Sequence, residues 1–408
     1  MEKDNLKIAE MLDTFYPSID GPTNVVKNYA ENLNELAHCK VVVPKFPKKR
    51  KYKDEFSFEV MRTNSIWAPE GYRYATPLFD AEIVKKMDNE NFDILHVHSP
   101  FTIGRLALRQ GKKHKIPVVA TLHTKYYDDF MRSVHIPFIC RLMVKYIMQV
   151  YKKADSVWTV SDSSVQVLRD YGYKGKVVVV RNGTDLSYPD NAGELVENVN
   201  KTHNLYRQKN VFIYIGRIAM YKNLELMAKS LSILKKQGLD FKTIIVGGGF
   251  DLDKFKEVVK ENDLEDRFIF TGSISDRKVI QGYYLRADLF LFPSTFDTSS
   301  LVPIEAAAHK LPVLLIKGSC TAEYITDDVN GFLSEESSEA YAKRINEIIS
   351  DEKHLKEVGE NASETVYRSW RTVSEEVLEK YKEIIEEYKN SHPEKNKKSE
   401  KHTKTKIK

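Results

Sequence analysis

No apolar run in this 408-residue chain approaches the ~20 residues that a helix needs to span a bilayer. Its first ten residues are charged and then strand-like, without the apolar core of a signal peptide. Cysteine is scarce. Cys39, Cys140 and Cys320 stand far apart, which excludes a disulfide framework and a C-x-x-C metal knuckle and leaves buried or surface thiols. These absences together predict a cytoplasmic protein. A full G-x-G-x-x-G fingerprint is also missing, which disfavours a dinucleotide site. No short-period repeat is present.

The chain does have enough apolar residues for a folded globule: 42% hydrophobic against 30% charged. Its length suits two domains better than one core. The net charge of +5 sits at one end. From Ser391 to Lys408 there are seven lysines and two glutamates, which accounts for the whole excess. A second basic cluster is formed by Lys45, Lys48, Lys49, Arg50, Lys51 and Lys53. Such patches suit anionic surfaces, either lipid headgroups or nucleic acid. The simpler alternative is a solvated loop and a disordered tail. Nucleic acid is the weaker option, because only Phe46 and Tyr52 interleave with these charges.

Short apolar runs alternate with longer helical patterns. Six candidate strands lie in the first half: Leu6–Leu12, Lys40–Val43, Asp93–Val97, Pro117–Leu122, Ser156–Val160 and Lys176–Val180. Five follow: Val211–Ile215, Lys242–Val246, Phe268–Phe270, Asp288–Phe292 and Pro312–Ile316. Continuous runs between helices read as buried parallel strands in βαβ units, so the fold class is α/β with two doubly wound domains. Leu186–Asn210 reads as a linker with a short helix. Phe332–Tyr388 reads as mainly helical, ending in a stripe of Val377, Leu378, Tyr381, Ile384 and Ile385. Beyond Ser391 the polar composition predicts disorder.

Five places offer chemistry. Asp20-Gly21-Pro22-Thr23 opens a helix after the first strand, where free amides can meet an anion; a plain tight turn is the alternative. Val246-Gly247-Gly248-Gly249 closes a strand in the second half, either to admit a ligand close to the backbone or as a flexible turn. The following Asp251-Leu252-Asp253 resembles a metal-binding D-x-D, but Asp251 fits better as a helix N-cap. Gly216, Arg217 and Lys222 open another helix. A guanidinium fork and an ammonium there can clamp a diphosphate, or they are two solvated cations. Asp297 follows Phe292-Pro293-Ser294 at a strand's C-terminal end, and Glu305 lies eight residues on within Ile304–Ala308, where open α/β sheets bind ligands. Lastly, His96, His98 and His123 sit at the ends of two neighbouring strands. A metal is disfavoured there because no acidic third ligand has recognisable spacing.

Taken in order, these segments resemble the retaining glycosyltransferases of family 4, including those that glycosylate diacylglycerol. The similarity spans roughly Ile8 to Tyr388. It includes Asp13–Pro17 with Gly21, Asp93–His98, Thr121–Thr124, Ala154–Ser161, Arg181–Asp185, Gly216–Lys222, Gly247–Gly249, Pro293–Glu305, Asn330–Leu333 and Trp370. The resemblance implies a GT-B fold: two facing Rossmann-like domains, the active site in the cleft, and a C-terminal helix crossing back to the first domain. Boundaries are expected at 1–190 for the acceptor domain, 205–368 for the nucleotide-sugar domain, 369–390 for the crossing helix and 391–408 for the tail.

The resemblance also implies roles. Arg217 and Lys222 would bind the donor diphosphate. Asp297 would face the donor sugar and Glu305 the ribose. Gly21 would approach the donor from the first domain, with Gly216, Gly247, Gly248, Gly249, Ser299, Ser300 and Leu301 also at the donor. His123 would lie near the reacting carbon. No cofactor or metal is implied, and UDP-glucose is the default co-substrate. Asp297 is one methylene shorter than the family's usual glutamate. Thr298, Ser299 and Ser300 replace the usual glycines, and Pro22 replaces another, so sugar contacts are expected to differ.

The acceptor is read from charge and amphipathicity. After Pro137, the residues Phe138, Ile139, Leu142, Met143, Tyr146, Ile147 and Val150 form one apolar stripe, with Arg141, Lys145, Lys152 and Lys153 off it. Such a basic helix is either core or membrane-surface. With Lys48, Lys49, Arg50 and Lys51 it favours a membrane lipid acceptor such as diacylglycerol, reached by peripheral contact with an anionic inner membrane face. A soluble or polyprenyl-linked saccharide acceptor is the enzymatic alternative. A non-catalytic partner subunit with a degenerate donor site is the alternative of another class.

Overall fold

The computed structural model describes residues 3–18, 20–46, 53–67, 73–297 and 300–393. These form two compact units, one of residues 1–182 with 370–408 and one of residues 183–369. Lys48, Lys49, Arg50, Lys51, Ser299 and the segment from 394 onward lie outside the described residues.

In the first unit the strands are β1 (Lys7–Met11), β2 (His38–Pro44), β3 (Glu59–Thr63), β4 (Ser65–Trp67), β5 (Arg73–Ala75), β6 (Ile94–Val97), β7 (Val118–Leu122), β8 (Ser156–Thr159) and β9 (Val178–Val179). Among the described residues, seven of them make a sheet in the order β3-β2-β1-β6-β7-β8-β9. Its pairings are parallel, as buried runs joined by helices require. β4 and β5 form a separate antiparallel pair. Sequence periodicity did not reveal β3, β4 or β5. Each is three to five residues long and carries polar side chains.

The chain returns to this unit through the helix Trp370–Ser391. It is held by burial of Trp370, Val373, Val377, Leu378, Tyr381 and Ile385. Trp370 meets Tyr29 edge-on at 5.4 Å, and Tyr381 stacks on Trp158 at 5.6 Å.

The second unit contains β10 (Val211–Ile215), β11 (Lys242–Val246), β12 (Phe268–Gly272), β13 (Leu289–Phe292), β14 (Val313–Ile316) and β15 (Phe332–Ser334). They form a parallel sheet in the order β12-β11-β10-β13-β14-β15. β15 corrects the helical reading of Phe332, since a three-residue edge strand has too few positions to show a period. The segment 186–210 carries the helix expected in it, twelve residues from Ala192 to His203, which buries Leu195 and Val199. The carbonyl of Leu195 and the side chain of Val199 come so close to Gly282 that a Cβ there would sit 3.0–3.2 Å from them. Only two inward positions anchor the helix, too few to stand out as a stripe.

Candidate active site

The second unit's site is built on the C-terminal ends of its strands. β10 is followed by Gly216, whose φ of +153° suits glycine. Gly247, after β11, has φ +146°, and a Cβ on it would lie 2.0 Å from the Gly216 carbonyl oxygen. A Cβ on Gly249 would lie 2.1 Å from the Ile218 oxygen. The two turns are tied together, the Gly216 amide donating to Val246 and the Ile218 amide to Gly248. The glycine run therefore lets one turn lie flat against its neighbour.

Asp251 takes the expected N-cap position, but its carboxylate accepts no hydrogen bond from its own helix and instead accepts from the Met220 amide at 2.8 Å. That bond steadies the short 3₁₀ turn Met220–Lys222, which sets the direction of Lys222.

Lys222 reaches Asp297, with Nζ 2.9 Å from Oδ1 and 3.1 Å from Oδ2. Ser294 donates to Oδ2 of the same carboxylate at 2.5 Å. Arg217 is exposed at the same β10 turn. Glu305 lies in the first turn of the helix Val302–Ala308, where Pro303 is the second residue. Its Oε1 accepts from Arg277 at 2.9 Å and its Oε2 from Tyr284 at 2.7 Å. Arg277 also meets Asp185. Burial works against the charge on Arg277, but Glu305 and Asp185 outweigh it and hold the guanidinium above its ordinary range. Burial, followed by the Glu305 charge, pushes the Tyr284 phenol well up, so it remains a donor. Sequence reasoning had not singled out Ser294, Arg277 or Tyr284 as site residues. Nothing in their spacing shows that they turn toward these carboxylates.

The first unit holds a second polar cluster. Register places Glu10 of β1 opposite His96 of β6. Thr121 and His123 lie at the end of β7 beside them. His98 Nε2 meets Glu10 Oε2 at 2.5 Å, and His98 Nδ1 meets His123 Nε2 at 2.8 Å. His96 meets Thr121 Oγ1 at 2.6 Å and the Tyr381 hydroxyl at 2.5 Å; that hydroxyl donates to Glu10 Oε1 at 2.8 Å. Glu10, His96 and His98 are all at most 1% exposed. Burial alone would raise Glu10, but the two imidazoles outweigh it and hold its carboxyl below the usual range. Burial, with His98 beside it, lowers His96 to about 4. The same two causes push His123 well below its ordinary value.

The structure thus supplies the acidic neighbour that spacing did not show. The ligand atoms of Glu10, His96 and His98 lie within 4.8 Å of one another. In this structure they are committed to hydrogen bonds with each other and with Tyr381, Thr121 and His123.

Gly21 begins the helix Gly21–Leu36, where Asp20 caps the Thr23 amide at 2.8 Å. Among the described residues, no neighbouring heavy atom lies within 4 Å of a Cβ built on Gly21, so the space beside it is open.

Two family descriptions cover this architecture. "Glycosyltransferase Family 4" matches residues 19–188, and "Glycosyl transferases group 1" matches residues 196–365. The chain is a family 4 glycosyltransferase. It is an enzyme of the hexosyltransferase class. The transferase is 25% identical to the alpha-monoglucosyldiacylglycerol synthase of Acholeplasma laidlawii, over 89% of this chain and 96% of that one. It is 25% identical to the synthase of the same description from Streptococcus pneumoniae, over 80% and 75%. A GDP-mannose-dependent alpha-mannosyltransferase of Corynebacterium glutamicum is 24% identical over 93% of this chain and 89% of that one.

The solved structures agree on the GT-B fold. A sucrose-phosphate synthase from Thermosynechococcus elongatus superposes with a TM-score of 0.76 at 20% identity, over 93% of this chain and 99% of that one. HepE of Anabaena, in complex with UDP, gives 0.75 at 17%, over 93% and 100%.

The helix Pro137–Tyr151 corrects the single stripe expected of it. Its inward face is Cys140, Val144, Ile147, Met148, Val150 and Tyr151. Phe138, Ile139, Leu142 and Tyr146 face outward, with Phe138 69% and Leu142 50% exposed. The helix is apolar on two sides, and only one of them reaches the core. Arg141, Lys145 and Lys152 line an adjoining groove of about 680 Å³ with Lys125, Asp128 and Asp170. Among the described residues, no helix is long and apolar enough to cross a membrane.

Proposed function

We propose that this transferase moves glucose from UDP-glucose to the hydroxyl of a membrane lipid such as diacylglycerol, with retention of configuration, at the inner face of the cell membrane. The observation that carries the lipid reading is the outward face of Pro137–Tyr151. Leaving the exposed parts of Phe138 and Leu142 in water forgoes ~1–2 kcal/mol of burial for each side chain. A bilayer interface restores that burial, while Arg141 and Lys145 meet anionic headgroups. The two diacylglycerol synthases among the relatives support the same acceptor.

On the donor side, Arg217 and Lys222 are assigned to the leaving diphosphate, where charge develops. Asp297 is assigned to the sugar hydroxyls and Glu305 to the ribose. Gly21, with open space beside it, is assigned to close approach by the donor. His123 is assigned to the neighbourhood of the reacting carbon. The acceptor hydroxyl attacks from the face that the diphosphate leaves, and a leaving-phosphate oxygen takes the proton.

A donor-release screen tests this reading, using UDP- and GDP-sugars with and without diacylglycerol in anionic micelles. Release from UDP-glucose that rises with the lipid is the expected result. Release unaffected by lipid would overturn the acceptor and direct the search to saccharides. Release only from GDP-mannose, as the mannosyltransferase relative's name indicates for that protein, would overturn the donor.

A further inference from the structure

The cluster in the first unit does more than fill its core. Glu10 is fully buried, and its two oxygens are both engaged, Oε1 by the Tyr381 hydroxyl and Oε2 by His98. A carboxylate only accepts, so His98 carries its proton on Nε2. In neutral His98 the other nitrogen, Nδ1, must then accept. Its partner is His123 Nε2 at 2.8 Å, which therefore carries the proton of His123. The same accounting fixes His96. Tyr381 spends its proton on Glu10 and accepts from His96 Nδ1, while Thr121 donates to Nε2.

We propose that Glu10 is a positioning residue for the transfer reaction: through His98 it fixes the neutral Nε2–H tautomer of His123 and presents Nδ1 as an acceptor. This rests on the placement of His123 near the reacting carbon. The groups that face the relay are Glu10 on β1, His96 and His98 on β6, His123 and Thr121 on β7, Tyr29 on the helix Gly21–Leu36, and Tyr381 on the C-terminal helix. Tyr381 makes the arrangement depend on the return of the chain to this unit. Its hydroxyl holds Oε1 and leaves Oε2 for His98. The low values of His96 and His123 agree with neutral rings.

Two measurements on the full-length protein test the relay. Long-range ¹H–¹⁵N spectra of protein labelled at histidine nitrogen report each ring's tautomer at neutral pH. Nε2–H on both His98 and His123 is expected. Nδ1–H on His123, an imidazolium at His98, or the shift of a metal-bound nitrogen on His98 would each overturn the proposal. In kinetics, Glu10→Gln should lower kcat about tenfold with little change in the donor KM. In a His123→Asn background the same substitution should add little, because Glu10 acts through His123. An equal effect in both backgrounds, or an effect on KM alone, would overturn it. Should Glu10→Gln fail to fold, the wild-type tautomers decide. Should no sugar donor be turned over, the proposed reaction fails, and the spectra still decide the relay.

Discussion

The ammonium of Lys222 lies 2.9 Å from Oδ1 of Asp297, so the cation assigned to the diphosphate and the carboxylate assigned to the sugar are each other's partners in this structure. Both are largely buried, at 12% and 20% exposure, which strengthens the pair relative to a surface bridge. On that assignment a bound donor draws on both groups at once. Lys222→Ala should lower kcat/KM about 10²–10³-fold, the loss typical of removing one group that stabilises developing charge. Asp297→Asn should also lose activity, and the double variant should lose less than the product of the two, because the residues are in contact. Near-normal UDP release by Lys222→Ala would remove it from the scheme.

Arg277 and Tyr284 hold Glu305 from two sides. Arg277→Met should leave the carboxylate free to turn and should weaken UDP binding about tenfold, equivalent to about 1.4 kcal/mol. Tyr284→Phe removes one neutral donor and should cost less. Calorimetric titration with UDP measures both. An unchanged Kd in both variants would separate Glu305 from nucleotide binding.

The outward face of Pro137–Tyr151 should govern membrane attachment. Arg141→Glu with Lys145→Glu should reduce cosedimentation with anionic vesicles by at least tenfold, on the basis of about 1 kcal/mol for each basic residue near the surface. Leu142→Ser should weaken attachment to neutral and anionic vesicles alike. Thermal stability should change little in either variant, because these side chains lie outside the core. Undiminished cosedimentation would rule this face out as the attachment surface.

Acid should destabilise the first unit. In the unfolded chain His96 titrates near 6.5, whereas burial holds its folded value to about 4. The unfolded state therefore binds more protons between these values, and stability falls as pH drops through this window. For this group alone the loss by pH 5 is about 2 kcal/mol, and stability should level off above about 6.5. Glu10 acts in the same direction at lower pH, since its depressed carboxyl contributes stability that is lost on protonation. Denaturant unfolding at pH 5, 6 and 7.5 measures the slope. A flat profile across this range would mean that His96 is charged in the folded protein.

Much of this protein was legible in its residues. β10 and β11 fall on the same boundaries in sequence and structure, because β10 is an apolar run buried throughout and β11 is buried on both faces from Thr243 to Val246. The turn at Asp20–Pro22 was readable because capping and proline chemistry act within a few residues. β3, β4, β5 and β15 were not, since short or edge strands lack a sustained pattern. The N-cap place of Asp251 was legible, but the partner of its carboxylate was not, because the Met220 amide was brought to it by the fold.

The apolar periodicity of the sequence determined two parallel α/β sheets, and its glycines and prolines determined where the turns beside the candidate site lie. Which face of Pro137–Tyr151 meets the core was decided only by packing, because both faces are apolar. The partners of Glu10, Lys222 and Glu305 were likewise a tertiary matter. Glu10 and Tyr381 stand 371 residues apart, and Lys222 and Asp297 stand 75 apart. Hydrogen bonds and ion pairs act over a few ångströms of space, and no spacing along the chain encodes such a meeting until the strands are laid side by side.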